Sequence, residues 1–140
     1  MPDVEINYAS AGNGPPILLL HGHTQTHIVW RKVAPLLVNA GYRVIAPDLR
    51  GYGDSGKPKS DINHYAYSKR VMAQDQIALM AKLGYEHFPV VGHDRGGRVA
   101  HRMALDFPNV VDRLVVLDIA PTDIMYAQTN KEFATRYFWW

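Results

Sequence analysis

The chain contains no cysteine. Disulfides, a thiolate nucleophile and cysteine-ligated metal sites are thereby excluded. It also lacks an apolar run long enough to cross a bilayer, so no membrane association is expected. An excess of charge of one sign is missing as well: 15 Lys and Arg face 13 Asp and Glu, a formal net charge of +2. The basic residues are scattered along the chain and form no stripe, which argues against a nucleic-acid surface. No internal repeat or low-complexity tract interrupts the sequence. Met1-Pro2-Asp3-Val4-Glu5 is acidic where a secretory signal is basic, and no apolar segment follows at once. The expected location is therefore cytoplasmic. His21, His23 and His27 are evenly spaced along an expected loop and match no strong ligand pattern, so no metal is expected, and the glycine-rich Arg50 to Gly56 lacks the Walker and dinucleotide patterns, so no other cofactor is expected either.

What is present is a globular composition, 47% apolar and 20% charged, in 140 residues. A chain of that size forms one small domain and buries roughly two-thirds of its extended surface. Val4-Glu5-Ile6-Asn7-Tyr8 reads as a first strand. Ile17 to Leu20, Arg43 to Ala46, Phe88 to Val91 and Leu114 to Leu117 are short and nearly unbroken in apolarity, as strands covered on both faces are. Between them lie segments of helical length. Residues 28–40 present Val33, Leu36, Leu37 and Ala40 ahead of Gly41; residues 68–82 present Met72 and Leu79 ahead of Gly84. Residues 95–106 present Val99 and Met103, and Pro108 cannot continue that helix. This alternation predicts an α/β fold, a mostly parallel sheet flanked by helices, with its ligand site beyond the carboxyl ends of the strands. Those ends bring together His21-Gly22-His23, Asp48, Asp94 and Asp118.

The segment Val90-Val91-Gly92-His93-Asp94-Arg95-Gly96-Gly97-Arg98 sets a carboxylate where a strand turns sharply into a helix. Gly92, Gly96 and Gly97 relieve crowding at such a bend, and a helix N-terminus favours negative charge there. An exposed carboxylate can attack an electrophilic sp3 carbon and form an ester that is later hydrolysed. The plainer role for Asp94 is helix capping. Arg95 and Arg98 share the first turn, where cations oppose the helix dipole; a bound carboxylate gripped by their guanidinium forks would compensate. Salt bridges to Asp94, Asp54 or Asp48 are the alternative. The backbone N–H groups of His23 and Arg95 are placed to stabilise an oxyanion during ester hydrolysis. Asp118 can orient a histidine brought in by a later segment, or simply cap a turn.

His21-Gly22, Asp48-Leu49-Arg50-Gly51-Tyr52-Gly53-Asp54-Ser55, Gly92-His93-Asp94-Arg95-Gly96-Gly97 and Asp118-Ile119-Ala120-Pro121 together resemble the amino-terminal half of an α/β-hydrolase of the haloacetate (fluoroacetate) dehalogenase type. The resemblance covers essentially the whole chain. It implies residues 1–122 as part of the hydrolase core and 123–140 as the start of a helical cap, with the fold truncated before the end of the cap and the last strands. It further implies Asp94 as nucleophile, Arg95 and Arg98 as binders of a small anionic haloacid, and Asp118 as the partner of a general-base histidine. All seven histidines precede Asp118, so that base is expected to lie outside this fragment. A homodimer is implied for the full-length parent.

Besides the missing histidine, one departure modifies the pattern. Trp139 stands where the family has a histidine and Trp140 matches its tryptophan, the pair that binds departing halide. An indole N–H donates a hydrogen bond but cannot become cationic, which weighs against C–F cleavage more than against C–Cl or C–Br. Cap-to-core packing is the alternative role for Phe138-Trp139-Trp140. Arg95 after the nucleophile, with Arg98 three residues on, agrees with the haloacid type, whereas epoxide hydrolases and haloalkane dehalogenases commonly carry Trp there. Two other functions stay open: epoxide hydrolysis, with Tyr126 or Tyr137 as acid, and a non-catalytic module binding small carboxylates.

Overall fold

The computed structural model describes residues 4–60 and 62–136. Five strands form one sheet: β1 (Tyr8–Ala11), β2 (Pro16–Leu20), β3 (Arg43–Pro47), β4 (Phe88–His93) and β5 (Val111–Leu117), in the order β1-β3-β2-β4-β5. β1 runs antiparallel to β3, with Tyr8 opposite Pro47, and every other pairing is parallel. Leu18 pairs with Ile45 on one side and Val90 on the other, which puts β2 at the centre. The register between β4 and β5 shifts between Phe88 and Val90. Pro89 lies at that shift and has no N–H to give to a ladder.

Alternation along β2 divides the interior in two. Leu18 and Leu20 pack with Met72, Met80, Val99 and Met103 from helices α2 (Lys69–Lys82) and α3 (Arg95–Asp106). Ile17 and Leu19 face the other way, against Trp30 and, at the rim, Leu37 of α1 (Ala34–Asn39). Helices thus cover both faces, as the unbroken apolarity of the strands requires. Two short helices follow β5: α4 (Thr122–Ala127) and α5 (Lys131–Arg136).

The expected helix over 95–106 appears with those bounds, and that over 68–82 starts one residue later because Ser68 is its cap, accepting from Val71 N–H at 3.3 Å. The helix expected over 28–40 is instead a 3-10 segment, His27–Lys32, followed by α1. Pro35 explains the division: it has no N–H to donate to the preceding turn, and it sits in the first turn of α1, where that loss is tolerated. The expected first strand starts later as well. Glu5 and Asn7 offer their carbonyls to Gly56 N–H and Asp48 N–H, so this stretch braces a loop before β1 begins at Tyr8.

Candidate active site

Asp94 sits between β4 and α3 with φ 49° and ψ −116°. A non-glycine residue in this region stores about 1–3 kcal/mol of strain, held here by its surroundings. Its N–H donates to Leu117 O at 3.0 Å, fastening the bend to β5. The bend is possible because its glycines have no side chains. A Cβ on Gly92 would stand 2.6 Å from Gly97 Cα, and one on Gly96 2.5 Å from the His21 carbonyl oxygen. Gly22 lets the preceding loop approach as closely, since a Cβ there would lie 2.8 Å from Asp94 Cβ.

The Asp94 side chain makes no capping hydrogen bond to α3. Its Oδ1 accepts from His23 N–H at 2.6 Å, across the gap between the ends of β2 and β4. One carboxylate oxygen is therefore fixed. This is the oxygen that would remain the carbonyl if Oδ2 formed an ester, and His23 N–H would then be in place for the charge that develops on it during hydrolysis.

Neither Arg95 nor Arg98 forms an ion pair among the described residues, so the alternative of salt bridges to Asp94, Asp54 or Asp48 is not realised. The Arg95 guanidinium carbon lies 5.9 Å from the centre of the Tyr52 ring, within cation–π range. Among the described residues, Arg98 Nη2 meets only the weak acceptor Met125 Sδ, at 3.5 Å. Asp118, also at positive φ (53°), is 92% exposed, and its Oδ2 lies 3.9 Å from His93 Nε2. His23, His93, Asp94, Asp118, Met125 and Phe133 share a cavity of about 380 Å3. Trp139 and Trp140, singled out for halide binding, lie outside the described residues.

Several supporting residues carried no functional assignment in the sequence. Gln25 Oε1 accepts from Gly22 N–H at 2.9 Å and lies 3.1 Å from His93 Nδ1, which holds the loop after β2 against the bend. Tyr52 places its hydroxyl 2.9 Å from His23 Nδ1. Burial pushes that phenol's pKa up, with Asp94 adding to the rise and Arg95 opposing it. Asp48 is fully buried at the end of β3. Burial alone would raise its pKa, but hydrogen bonds from His27 N–H, Asn7 Nδ2, the His27 ring and Asp54 N–H outweigh that and hold it down at about 2. Beneath it, His21 Nε2 accepts from Leu49 N–H at 3.0 Å, and burial lowers the pKa of its ring. The sequence placed His21 and Asp48 among the strand-end residues but gave no sign of the hydrogen bonds that tie them to these loops.

The acid at the bend between β4 and α3, above a mostly parallel sheet with helices on both faces, fits one class of α/β scaffold. Residues 15–140 match the family model described as alpha/beta hydrolase fold, and the chain belongs to that family. It is 52% identical over 138 residues to fluoroacetate dehalogenase from Burkholderia sp, a match covering 99% of this chain and 45% of that protein. It is 46% identical to soluble epoxide hydrolase from Corynebacterium sp. (strain C12), over 83% of this chain and 38% of the relative. The crystal structure of ALR0039 from Nostoc sp PCC 7120, provisionally assigned as an alpha/beta hydrolase, superposes with a TM-score of 0.95 at 60% identity, covering 98% of this chain and 47% of its own. The chain thus spans less than half the length of each of these proteins. No helix among the described residues is long and apolar enough to cross a membrane.

Proposed function

We propose that the whole protein hydrolyses a small 2-haloacid, such as a haloacetate, through an ester on Asp94. The observation that carries this reading is the placement of Asp94: one oxygen held by His23 N–H, and two arginines without carboxylate partners in the turn that follows. The guanidiniums of Arg95 and Arg98 would grip the acid's carboxylate and offset its repulsion with Asp94. Asp94 Oδ2 then attacks the α-carbon as the carbon–halogen bond breaks and its electron pair leaves with the halide. Water adds to the ester carbonyl, the charge gathers on Oδ1 opposite His23 N–H, and the bond between the carbonyl carbon and the bridging oxygen breaks. Hydroxyacid leaves with the oxygen that came from Asp94, which regains one from water.

A histidine oriented by Asp118 would take the water's proton and return it to the departing oxygen. His93 is the described histidine within 4 Å of Asp118, but its Nδ1 is engaged with Gln25, so the base is assigned to the remainder of the whole protein. In this reading residues 1–122 belong to the hydrolase core and 123–140 open the cap, with halide binding as the role of Trp139 and Trp140. The same reading carries a cytoplasmic setting and a homodimer for the whole protein.

Incubated with chloroacetate, the whole protein should release chloride and transiently carry a two-carbon acid on the peptide containing Asp94, visible by mass spectrometry. Asp94→Asn should lower chloride release by at least about 10³-fold, the loss expected when a nucleophile is removed. Chloride release undiminished in that variant would sink the mechanism. The likeness to an epoxide hydrolase keeps a second reading in view, with Tyr126 or Tyr137 protonating the epoxide oxygen. Diol formation from an epoxide, with no chloride from chloroacetate, would favour it. Binding of small carboxylates with no adduct and no turnover would instead mark a non-catalytic module.

A further inference from the structure

His23 meets Asp94 through its backbone, and its side chain is held separately. Gln25 N–H donates to Gly22 O at 3.2 Å and Gln25 Oε1 accepts from Gly22 N–H at 2.9 Å, so residues 22–25 form a closed turn. His23 and Thr24 stand at its corners, Thr24 at φ 50°. The turn fixes the backbone of His23, and Tyr52 fixes the ring: its hydroxyl lies 2.9 Å from His23 Nδ1, with the two rings edge to face at 6.0 Å. His23 is exposed and lines the cavity of about 380 Å3 that holds Asp94. Of the other titratable residues lining that cavity, Asp94 and Asp118 are acids, and His93 has Nδ1 on Gln25 and Nε2 3.9 Å from Asp118. His23 Nε2 has no hydrogen-bond or ion-pair partner among the described residues.

The contact with Tyr52 decides which ring nitrogen carries the proton. The phenol has one O–H and, among the described residues, one acceptor for it, His23 Nδ1. Burial pushes the phenol's pKa up, which keeps that proton on the oxygen. A phenol donating to Nδ1 leaves the imidazole proton on Nε2, whereas the other tautomer would set two protons against each other or leave the phenol's without an acceptor. We infer that His23 Nε2–H is a substrate-binding donor of this cavity, held in its tautomer by Tyr52, and that it donates to the carboxylate of the small acid. This role rests on the proposed haloacid site and adds to it a side chain that fixes how the acid lies. The carboxylate is its acceptor because Tyr52, which holds the ring, also lies 5.9 Å from the guanidinium carbon of Arg95, so donor and cation flank one aromatic side chain. An anion entering between Asp94 and Asp118 needs such a donor to offset their repulsion. His23 would then serve both carboxylates of the reaction, Asp94 through its backbone N–H and the acid through its ring.

The test is calorimetric titration of the whole protein with glycolate, the product expected from a haloacetate, paired with chloroacetate kinetics. His23→Phe keeps the backbone N–H and the bulk of the ring but has no donor. It should raise the glycolate Kd by about tenfold or more, the loss of a hydrogen bond to a charged group. The chloroacetate KM should rise with it while kcat stays within about threefold, because the same bond is present before and during the displacement. His23→Gln, whose amide N–H reaches near the position of Nε2, should bring the affinity back to within about threefold of wild type. Tyr52→Phe should raise the Kd by several-fold, and NMR of nitrogen-labelled histidine should show the His23 proton moving from Nε2 to a mixture of both nitrogens. Circular dichroism and thermal unfolding separate lost binding from lost fold, and the wild-type NMR keeps the role of His23 open to refutation if a variant misfolds. Equal Kd and KM in wild type and His23→Phe overturn that role while chloride release leaves the ester mechanism standing, as does a wild-type His23 proton found on Nδ1. Weaker inhibition by bromide in His23→Phe, with glycolate affinity unchanged, would put the donor on the departing halide and overturn its assignment to the carboxylate. Glycolate binding that depends on His23, in a protein releasing no chloride from chloroacetate, would remove the dehalogenation reading and leave this one standing. A wild type that neither binds glycolate nor releases chloride removes both.

Discussion

Asp48 and His21 are two titratable side chains that hold the loops around Asp94, each in its deprotonated form. Asp48 receives its hydrogen bonds as a carboxylate, and its pKa falls from 3.8 to about 2 on folding. A depressed carboxylate pKa stabilises the fold fully above the unfolded value and ceases to do so as pH falls through the folded one. His21 accepts from Leu49 N–H and must be neutral to do so; its pKa is lowered from 6.5 by burial. Its contribution is complete above about pH 6.5 and is lost as pH falls toward the lowered value. Urea unfolding should therefore show stability declining in two stages on acidification, one below pH 6.5 and one below about pH 4. Asp48→Asn should shrink the second stage, leaving the part due to Asp106, which Arg102 and Arg70 also hold below the usual carboxylate range, and cost about 2 kcal/mol at pH 7, because one amide oxygen cannot serve every donor that now converges there. A single decline with its midpoint unchanged in Asp48→Asn would show that the carboxylate does not hold these loops.

At the scale of elements, the bend between β4 and α3 depends on backbone passing backbone at distances that exclude a methyl group. Gly96 is the sharpest case, because the neighbours its Cβ would meet are the carbonyls of Leu20 and His21, which no rotamer change can move. Gly96→Ala should push α3 from β2, cost about 1–3 kcal/mol in a urea melt, and lower chloride release further than stability alone explains, since His23 N–H and Asp94 Oδ1 lie on the two parts being separated. Chloride release at the wild-type rate would mean the bend tolerates the shift. The limits of α3 were legible in the sequence because glycines and Pro108 punctuate them locally. The division of residues 28–40 was not, although Pro35 marks it, because the apolar spacing runs on across the break. Asp94, Arg95, Arg98 and Asp118 were legible as strand-end and helix-start residues. Gln25, Tyr52 and the hydrogen bonds of Asp48 were not, because they join segments distant in sequence that only the sheet order brings near.

For the molecule as a whole, both edge strands of the sheet, β1 and β5, are exposed, and β5 is the more apolar of the two. β2 and β3 are covered on both faces, whereas Val115, Val116 and Leu117 of β5 are 46%, 39% and 40% exposed, and β5 pairs only with β4 among the described residues. An apolar edge with free N–H and C=O groups is a template for pairing with another chain. The 140-residue chain on its own should therefore bind a hydrophobic dye and scatter light at micromolar concentration, and Val115→Lys should reduce both by placing a charge on the edge strand. The same substitution should act with opposite sign in the whole protein if further chain packs against β5 there: a lysine buried without a partner would lower stability by several kcal/mol. Thermal and urea melts of both lengths, each with and without Val115→Lys, read the two signs directly. Loss of stability at both lengths would mean that Val115 is a core position of these 140 residues despite its exposure. A gain in solubility with no loss of stability at either length would mean that β5 is an outer edge of the complete sheet.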